Sequence, residues 1–148
     1  MIEKERQQSL MSGGTVASIL HLDDDRSMRE SMSALLNAEG YMVSSAATGT
    51  EAMQFAIGGL CPDVLIVDYD LGEQLSGPEV AQQIHNLLNY APPIIVLSGD
   101  AHRAQFLRVI EVVVWLVSKP LNPQLLLAAL PSLAQLSRAT RKVLTQAA

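Results

Sequence analysis

Apolar runs alternate with segments of helical periodicity five times along this chain of 148 residues. The apolar runs occupy residues 16–22, 41–46, 64–67, 94–97 and 112–117. Each run has the length of a strand, and the segments between them repeat apolar residues three and four positions apart, as one face of a helix does. Strands that alternate with helices in this way form a parallel sheet. The pattern therefore predicts an α/β fold with helices on both faces of the sheet.

The chain is long enough for one domain with its own core, and we place that domain at residues 15–136. Residues 1–14 lack the apolar core of a signal peptide and end in a Ser-Gly-Gly step, so we expect a flexible tail. Residues 137–148 carry few apolar anchors and are expected to form a frayed helical tail. Pro131 falls inside the last helical pattern and is expected to kink or divide that helix.

Composition and charge exclude several classes of protein. The formal net charge of −5 argues against a nucleic-acid-binding surface. No apolar run approaches the ~18 residues that a membrane span needs. The single cysteine, Cys61, cannot form an internal disulfide, which fits a reducing, cytoplasmic compartment. The basic residues Arg138, Arg141 and Lys142 are expected to form a solvated face.

Charged residues stand where the predicted strands end. Asp23, Asp24 and Asp25 follow the first strand, Asp68 follows the third, and Lys119 follows the last. Because the carboxyl ends of parallel strands face one crevice, these side chains are expected to meet in one pocket. Carboxylates held close together repel one another unless a cation joins them. The sequence therefore predicts an acidic pocket that binds a metal and is neutralised on one side by a lysine.

The residue types in this pocket suit phosphoryl transfer. Asp23 and Asp24 are natural ligands for a hard divalent cation such as Mg²⁺, which keeps waters and shares a substrate phosphate. Asp68 is the candidate nucleophile toward phosphorus, and Lys119 supplies positive charge toward the phosphoryl oxygens. Ser98, at the end of the fourth strand, supplies a hydroxyl that can hydrogen-bond a phosphate. Since phosphoryl transfer depends mainly on positioning and charge neutralisation, this set is chemically sufficient once a phosphodonor arrives.

Four motifs in order lead to a known family. They are Ile-Leu-His-Leu-Asp-Asp-Asp at 19–25, Pro-Asp-Val-Leu-Ile-Val-Asp at 62–68, Ile-Val-Leu-Ser-Gly at 95–99 and Lys-Pro at 119–120. Together they resemble the receiver domain of two-component response regulators, over residues 17–136. The resemblance implies a flavodoxin-like, doubly wound (βα)5 fold whose five parallel strands lie in the order 2-1-3-4-5.

The resemblance also assigns roles around the acidic residues. It implies that Asp68 is the phosphoacceptor and that Mg²⁺ is the cofactor. Asp24 would bind the metal directly and Asp23 directly or through water, with the backbone carbonyl of Asp70 as a further ligand. Asp25 is instead expected to cap the first helix.

On the same resemblance, Ser98 is the switch hydroxyl and Lys119 the phosphate-binding lysine. The bond between Lys119 and Pro120 is often cis in this family. The implied partners are a sensor histidine kinase or phosphotransfer protein and a downstream protein, with no nucleic acid and no membrane. Phosphorylation would shift a pre-existing conformational equilibrium, so the domain would signal and not act as an enzyme.

The sequence departs from the family in two regions. The loop at 68–77 is about one residue longer than usual. In the fifth strand, Leu116 stands where the family has an aromatic residue, Trp115 comes one place earlier, and three valines precede it. We hypothesise that Trp115 and Leu116 belong to an output surface, a dimer or partner interface formed by the fourth helix, fifth strand and fifth helix. The alternative is that Trp115 fills the core.

Two alternative functions remain open. The triplet of Asp68, Tyr69 and Asp70 resembles the Asp-x-Asp signature of haloacid-dehalogenase-like phosphatases, but Gly72 stands where those enzymes have Thr or Val. A protein-interaction module that works without phosphorylation is favoured by the missing aromatic residue and disfavoured by the complete acidic set.

Overall fold

A computed structural model of the chain describes residues 16–99 and 114–147. Several predicted features lie outside the described residues: the N-terminal tail, the helix at 101–111 and the first two residues of the fifth strand. The described parts hold the predicted pocket and most of the predicted domain.

Five parallel strands form one sheet in the order β2-β1-β3-β4-β5, which confirms the predicted fold and strand order. The strands are β1 (Ser18–Leu22), β2 (Met42–Ala46), β3 (Val64–Asp68), β4 (Ile94–Ser98) and β5 (Val114–Ser118). Both β3 and β4 end one residue later than predicted. As a result, Asp68 and Ser98 are the last residues of their strands and are held by the sheet itself.

The described residues contain four helices: α1 (Arg26–Ala38), α2 (Gly49–Ile57), α3 (Gly77–Leu87) and α4 (Pro123–Ala147), the last being the predicted fifth helix. Local side chains determine where they begin. Asp25 caps α1 by accepting a hydrogen bond from the backbone N–H of Met28, as predicted. Ser76 and Glu79 form a reciprocal capping box at the start of α3.

Two hydrophobic cores lie on opposite faces of the sheet. On one face, α1 and α4 bury residues such as Leu36, Leu126 and Leu130. On the other face, α2 and α3 pack with residues such as Val80 and Ile84. Every residue of β3 and β4 is buried. This burial from both sides explains why their sequences are continuously apolar and not alternating.

The last helix is longer and more regular than predicted. It runs as one element of 25 residues through Pro131 and includes most of the predicted tail. Proline removes a single intrahelical hydrogen bond, and the burial of Leu126, Leu130 and Ala134 holds the helix on the sheet on both sides of that point. Neither α4 nor any other helix within 16–99 and 114–147 combines the length and the apolar character that a membrane crossing demands.

The prediction that Arg138 and Arg141 are solvated is wrong. Both guanidinium groups pair with the buried carboxylate of Asp63, just before β3, and the Arg138 Nη2–Asp63 Oδ2 distance is 3.4 Å. We call Asp63, Arg138 and Arg141 the Asp63 cluster. Asp63 also accepts a 2.8 Å hydrogen bond from the backbone N–H of Ser18. Arg141 stacks over the ring of Tyr90 at 4.6 Å from its centroid. The cluster therefore ties the distal part of α4 to the amino end of the sheet.

We expect Asp63→Asn to lower the melting temperature. The substitution keeps the shape of the side chain but leaves two part-buried arginines without their counter-charge, a loss of about 1–3 kcal/mol after allowance for solvent screening. For a domain of this size, each kcal/mol corresponds to roughly 2–4 °C in thermal unfolding. Arg26→Gln is the matched control, because it breaks an exposed Arg26–Glu30 pair and should change stability by less than ~0.5 kcal/mol. Equal melting temperatures for the two variants would contradict this role of Asp63.

Candidate functional site

The first and third strands bring three carboxylates together. Asp23 and Asp24 follow β1, Asp68 ends β3, and each offers an oxygen within 4.8 Å of the other two. The two strands are neighbours in the sheet, with Leu22 opposite Val67. Asp23 and Asp68 are buried, whereas Asp24 is exposed. The arrangement is a pocket with two carboxylates at its base and one at its mouth.

Backbone and side-chain contacts hold Asp23 firmly. Its Oδ1 accepts a 2.9 Å hydrogen bond from the backbone N–H of Asp25, and its carbonyl oxygen accepts a 2.8 Å bond from Arg29. Its Oδ2 is buried and has no hydrogen-bonding partner among the described residues. A buried carboxylate oxygen without a partner is costly, and a hard cation would satisfy it. The donor set, three carboxylates with one unsatisfied buried oxygen, fits a Mg²⁺ ion.

Asp68 contacts a lysine that follows β5, the strand at the edge of the sheet. Lys119, directly after β5, places its Nζ 3.1 Å from Asp68 Oδ1. The lysine side chain is one-third exposed, so it can reach both the carboxylate and the pocket mouth. The backbone N–H of Lys119 donates to the carbonyl of Ser98 at 2.9 Å, which joins the ends of β4 and β5. The Lys119–Pro120 peptide bond is cis.

Burial and charge oppose each other in this pocket. Burial is the main cause that raises the pKa of Asp68, while the hydrogen bond and charge of Lys119 and the backbone of Asp70 act in the opposite direction. Burial likewise raises the pKa of Asp23, and the nearby charge of Asp68 adds to that increase. Both carboxylates are therefore less easily ionised than free aspartate. A bound cation would offset the cost of burying these negative charges and the repulsion between them. This is the electrostatic reason for the pocket to bind a cation.

The long loop after β3 has a defined anchor. Gly72 has a left-handed backbone with φ of 65°, and a Cβ atom there would lie 3.5 Å from Asp24 Oδ2, so the loop passes close to the pocket mouth. The next residue, Glu73, accepts hydrogen bonds from the backbone N–H of Gly49, at the start of α2, at 3.2 and 3.4 Å. A carboxylate at a helix start is stabilised by the helix dipole. Sequence reasoning did not identify Glu73, whose partner is 24 residues away.

Gly77 packs directly against the backbone of Asp68, the phosphoacceptor candidate. Its N–H donates to the carbonyl of Tyr69 at 3.0 Å. A Cβ atom on Gly77 would lie 1.9 Å from the carbonyl oxygen of Asp68, a distance that no side chain can occupy. The tight contact of Gly77 with the Asp68 backbone is a requirement that only the fold reveals.

The fifth strand separates the two residues predicted at the output surface. Trp115 lies opposite Ile95 and packs, half-buried, against the core on the α1 and α4 face. Leu116 lies opposite Val96 and packs against the other core. Because neighbouring residues of a strand point to opposite faces, Trp115 does not take the place of Leu116 in this register.

Comparison with known proteins gives a consistent family. Residues 19–131 match the model of the response regulator receiver domain. The response regulator MprA of Mycobacterium ulcerans is 35% identical over 83 residues, which are 56% of this chain and 35% of that protein. The chain thus spans about a third of the length of such curated relatives.

Solved structures agree with this match. The chemotaxis protein CheY4 of Vibrio cholerae is 28% identical, with a TM-score of 0.70 over 80% of this chain and 99% of that one. The N-terminal domain of a response regulator/sensory box/GGDEF protein from Carboxydothermus hydrogenoformans is 26% identical, with a TM-score of 0.71 over 82% of this chain and 97% of that one.

We expect Gly77→Ala to destabilise the protein and disturb Asp68. The added methyl group must displace the Asp68 carbonyl, because the backbone atoms in contact cannot rotate away. Overpacking of this kind costs about 1–3 kcal/mol, which thermal unfolding can measure. Gly99→Ala is the control, since a Cβ atom there meets no atom of the described residues within 4 Å. If both variants melted at the same temperature, the close contact at Gly77 would not be important for stability.

We expect Asp23→Asn to stabilise the metal-free protein at neutral pH. It removes a buried charge that both burial and the neighbouring carboxylates disfavour, and roughly 1 kcal/mol gained would raise the melting temperature by about 2–4 °C. The same change should abolish the stabilisation by Mg²⁺, which would be about 2.7 kcal/mol at 100 times the dissociation constant. Asp25→Asn, which keeps the helix cap, should behave like the wild type. A metal-free Asp23→Asn protein that melts earlier than wild type would disprove this account.

Proposed function

Because the chain belongs to the response regulator receiver domain family, we propose that it accepts a phosphoryl group on Asp68 and signals through the resulting change in the pocket. The observation that carries the proposal is the contact between Lys119 Nζ and Asp68 Oδ1 at 3.1 Å, beside two further carboxylates. This arrangement supports the proposal that Asp68, a bound cation and Lys119 act together on one phosphoryl group.

The proposed reaction is a displacement at phosphorus. A carboxylate oxygen of Asp68 attacks the phosphorus of a phosphohistidine or a small acyl phosphate. The new bond joins Asp68 to phosphorus as an acyl phosphate, and the bond between phosphorus and the donor breaks, with its electron pair leaving on the donor. Lys119 lies where it can neutralise a phosphoryl oxygen. Gly77 and the sheet hold the Asp68 backbone still during the exchange.

Mg²⁺ is the proposed cofactor, held by Asp23, Asp24 and Asp68 with the carbonyl of Asp70. When bound, it supplies positive charge to the phosphoryl oxygens and lowers the repulsion among the carboxylates. Asp70 is exposed and follows Asp68 by two residues, and its backbone also hydrogen bonds the Asp68 carboxylate. That position suits a carbonyl ligand at the pocket mouth.

Ser98 is the proposed switch residue. It is buried at the end of β4, and its carbonyl is bonded to the N–H of Lys119, so it lies beside the lysine that faces the acceptor. A new phosphate with a charge of ~−1.5 to −2 attracts hydroxyl donors. A hydrogen bond from the Ser98 hydroxyl to that phosphate would carry the change from the pocket into the loop after β4.

The proposed partners follow from the family. The phosphodonor would be a sensor histidine kinase or a phosphotransfer protein in the cytoplasm, and the output would be contact with a downstream protein. Turnover of unrelated phosphate esters, as in haloacid-dehalogenase-like phosphatases, is not part of the proposal. Asp68, the first residue of the Asp-x-Asp triplet that resembles those enzymes, ends the third strand of a receiver fold.

The proposed output surface includes β5 and α4. Two leucines of α4, Leu125 and Leu136, are 57% and 45% exposed. They are 11 residues apart, about three helical turns, so they lie along one side of the helix. Exposed leucines at this spacing on α4 support a protein contact there, and we propose that a second copy of this chain makes it.

Phosphorylation on Asp68 can be tested by intact mass after incubation with acetyl phosphate and Mg²⁺. Wild type should gain the mass of one phosphoryl group, and Asp68→Asn should gain none, because an amide oxygen is a poor nucleophile. Asp63→Asn is the matched control: it changes a buried aspartate at the opposite end of the same strand and should still be labelled. Labelling of Asp68→Asn at the wild-type level would refute the assignment of Asp68.

Self-association can be tested by size-exclusion chromatography of the same samples. Leu125→Gln with Leu136→Gln should weaken any dimer formed on phosphorylation, and Trp115→Ala should do so if Trp115 supports that surface. Ile57→Gln is the control, since Ile57 is 64% exposed on α2, on the other face of the sheet. Unchanged elution of the α4 variants, with wild type dimeric, would exclude this face.

A further inference from the structure

One polar side chain in the core has no role in the functions described so far. His21, the fourth of the five residues of β1, has no solvent exposure. Neither of its ring nitrogens has a hydrogen-bonding partner among the described residues. A buried polar group without a partner costs about 1–3 kcal/mol, so such groups call for an explanation.

Strand geometry places His21 directly below the acidic pocket. The N–H of Asp23 bonds the carbonyl of Ala46 at 3.1 Å, so the ladder between β1 and β2 continues past Leu22. Side chains therefore still alternate at Asp23, and His21 and Asp23 point to the same face about 7 Å apart. On β3, His21 lies opposite Ile66, two residues before Asp68. His21 thus occupies the layer beneath both buried carboxylates.

The unsatisfied groups in this layer are complementary. Asp23 Oδ2 is a buried acceptor with no partner in the part of the chain that the structure describes, and the imidazole of His21 offers a donor. Burial, followed by the charges of Arg29 and Lys119, lowers the pKa of His21 to about 4. The ring is therefore neutral at physiological pH, with one nitrogen that donates and one that accepts. Arg29 also donates a hydrogen bond to the Asp23 carbonyl, and Lys119 contacts the Asp68 carboxylate.

We propose that His21 is a positioning residue for the metal site: through one buried water, its ring N–H donates to Asp23 Oδ2 and holds that carboxylate in a metal-binding orientation. A water with two polar partners can bridge groups too far apart for a direct bond. A carboxylate oxygen has two lone pairs, so Oδ2 can accept this hydrogen bond and bind a cation at the same time. The inference rests on the proposed function, because it assumes that the carboxylates bind Mg²⁺.

The competing explanation is that His21 only fills space in the core. An apolar residue of suitable size would then do as well or better, since it removes an unsatisfied polar group. The two explanations differ in what happens to Mg²⁺ binding. Loss of a donor behind a metal ligand typically weakens metal affinity by about 10–100-fold, whereas loss of a core filler leaves the carboxylates as they were.

The test is calorimetric titration of the full chain with MgCl₂, without any phosphodonor. His21→Val and His21→Leu should raise the Mg²⁺ dissociation constant about 10–100-fold without lowering the metal-free melting temperature. His21→Gln, whose amide can donate, should recover part of the affinity. Ile66→Val, a buried change opposite His21, should bind as wild type does. Two apolar variants of different size are used so that the result does not depend on how one side chain packs in the core.

A second readout follows the histidine itself. In ¹⁵N-labelled protein, the ring nitrogens of His21 should report a single neutral tautomer, and MgCl₂ should shift their resonances. Affinity of both apolar variants within about twofold of wild type would overturn the role of His21 while leaving the proposed function standing. Absence of Mg²⁺ binding by wild type would overturn both, so the two failures are distinguishable.

Discussion

Two like charges buried side by side are the constraint on which this structure depends. Asp23 and Asp68 lie at the ends of neighbouring strands, in the part of the sheet where solvent cannot screen them. Among the described residues, Lys119 contacts Asp68, whereas the Asp23 carboxylate accepts a hydrogen bond from the backbone N–H of Asp25. A flexible chain would move these groups apart. The two-sided burial of β3 and β4 prevents that movement, so the carboxylates continue to repel each other. Binding of a cation, or transfer of a phosphoryl group to Asp68, would change that repulsion.

The central strand β3 connects this pocket to the other end of the molecule. Asp63 precedes the strand and Asp68 ends it, and every residue between them is buried. Each of the two carboxylates pairs with cations that come much later in the chain: Lys119 for Asp68, and Arg138 and Arg141 for Asp63. The strand is therefore clamped by charge at both ends. Its amino end holds α4, and its carboxyl end holds the loop that carries Lys119.

Two glycines and one glutamate support the backbone and the loop around the acceptor. Gly77 leaves room for the Asp68 carbonyl, and Gly72 lets the long loop turn close to Asp24. Glu73 then fixes that loop to the start of α2. The extra loop residue is thus accommodated without moving Asp68, which remains part of its strand.

The sequence alone determined the alternation of strands and helices, the helix cap at Asp25, and the position of the acidic residues at strand ends. These features depend on local periodicity, capping and strand order, which neighbouring residues encode. Only the tertiary structure decided that α4 continues through Pro131, that Arg138 and Arg141 pair with Asp63, and that His21 lies fully buried beneath Asp23. Those outcomes depend on contacts between residues far apart in the chain, and no local pattern records which charge or cavity a distant side chain will meet.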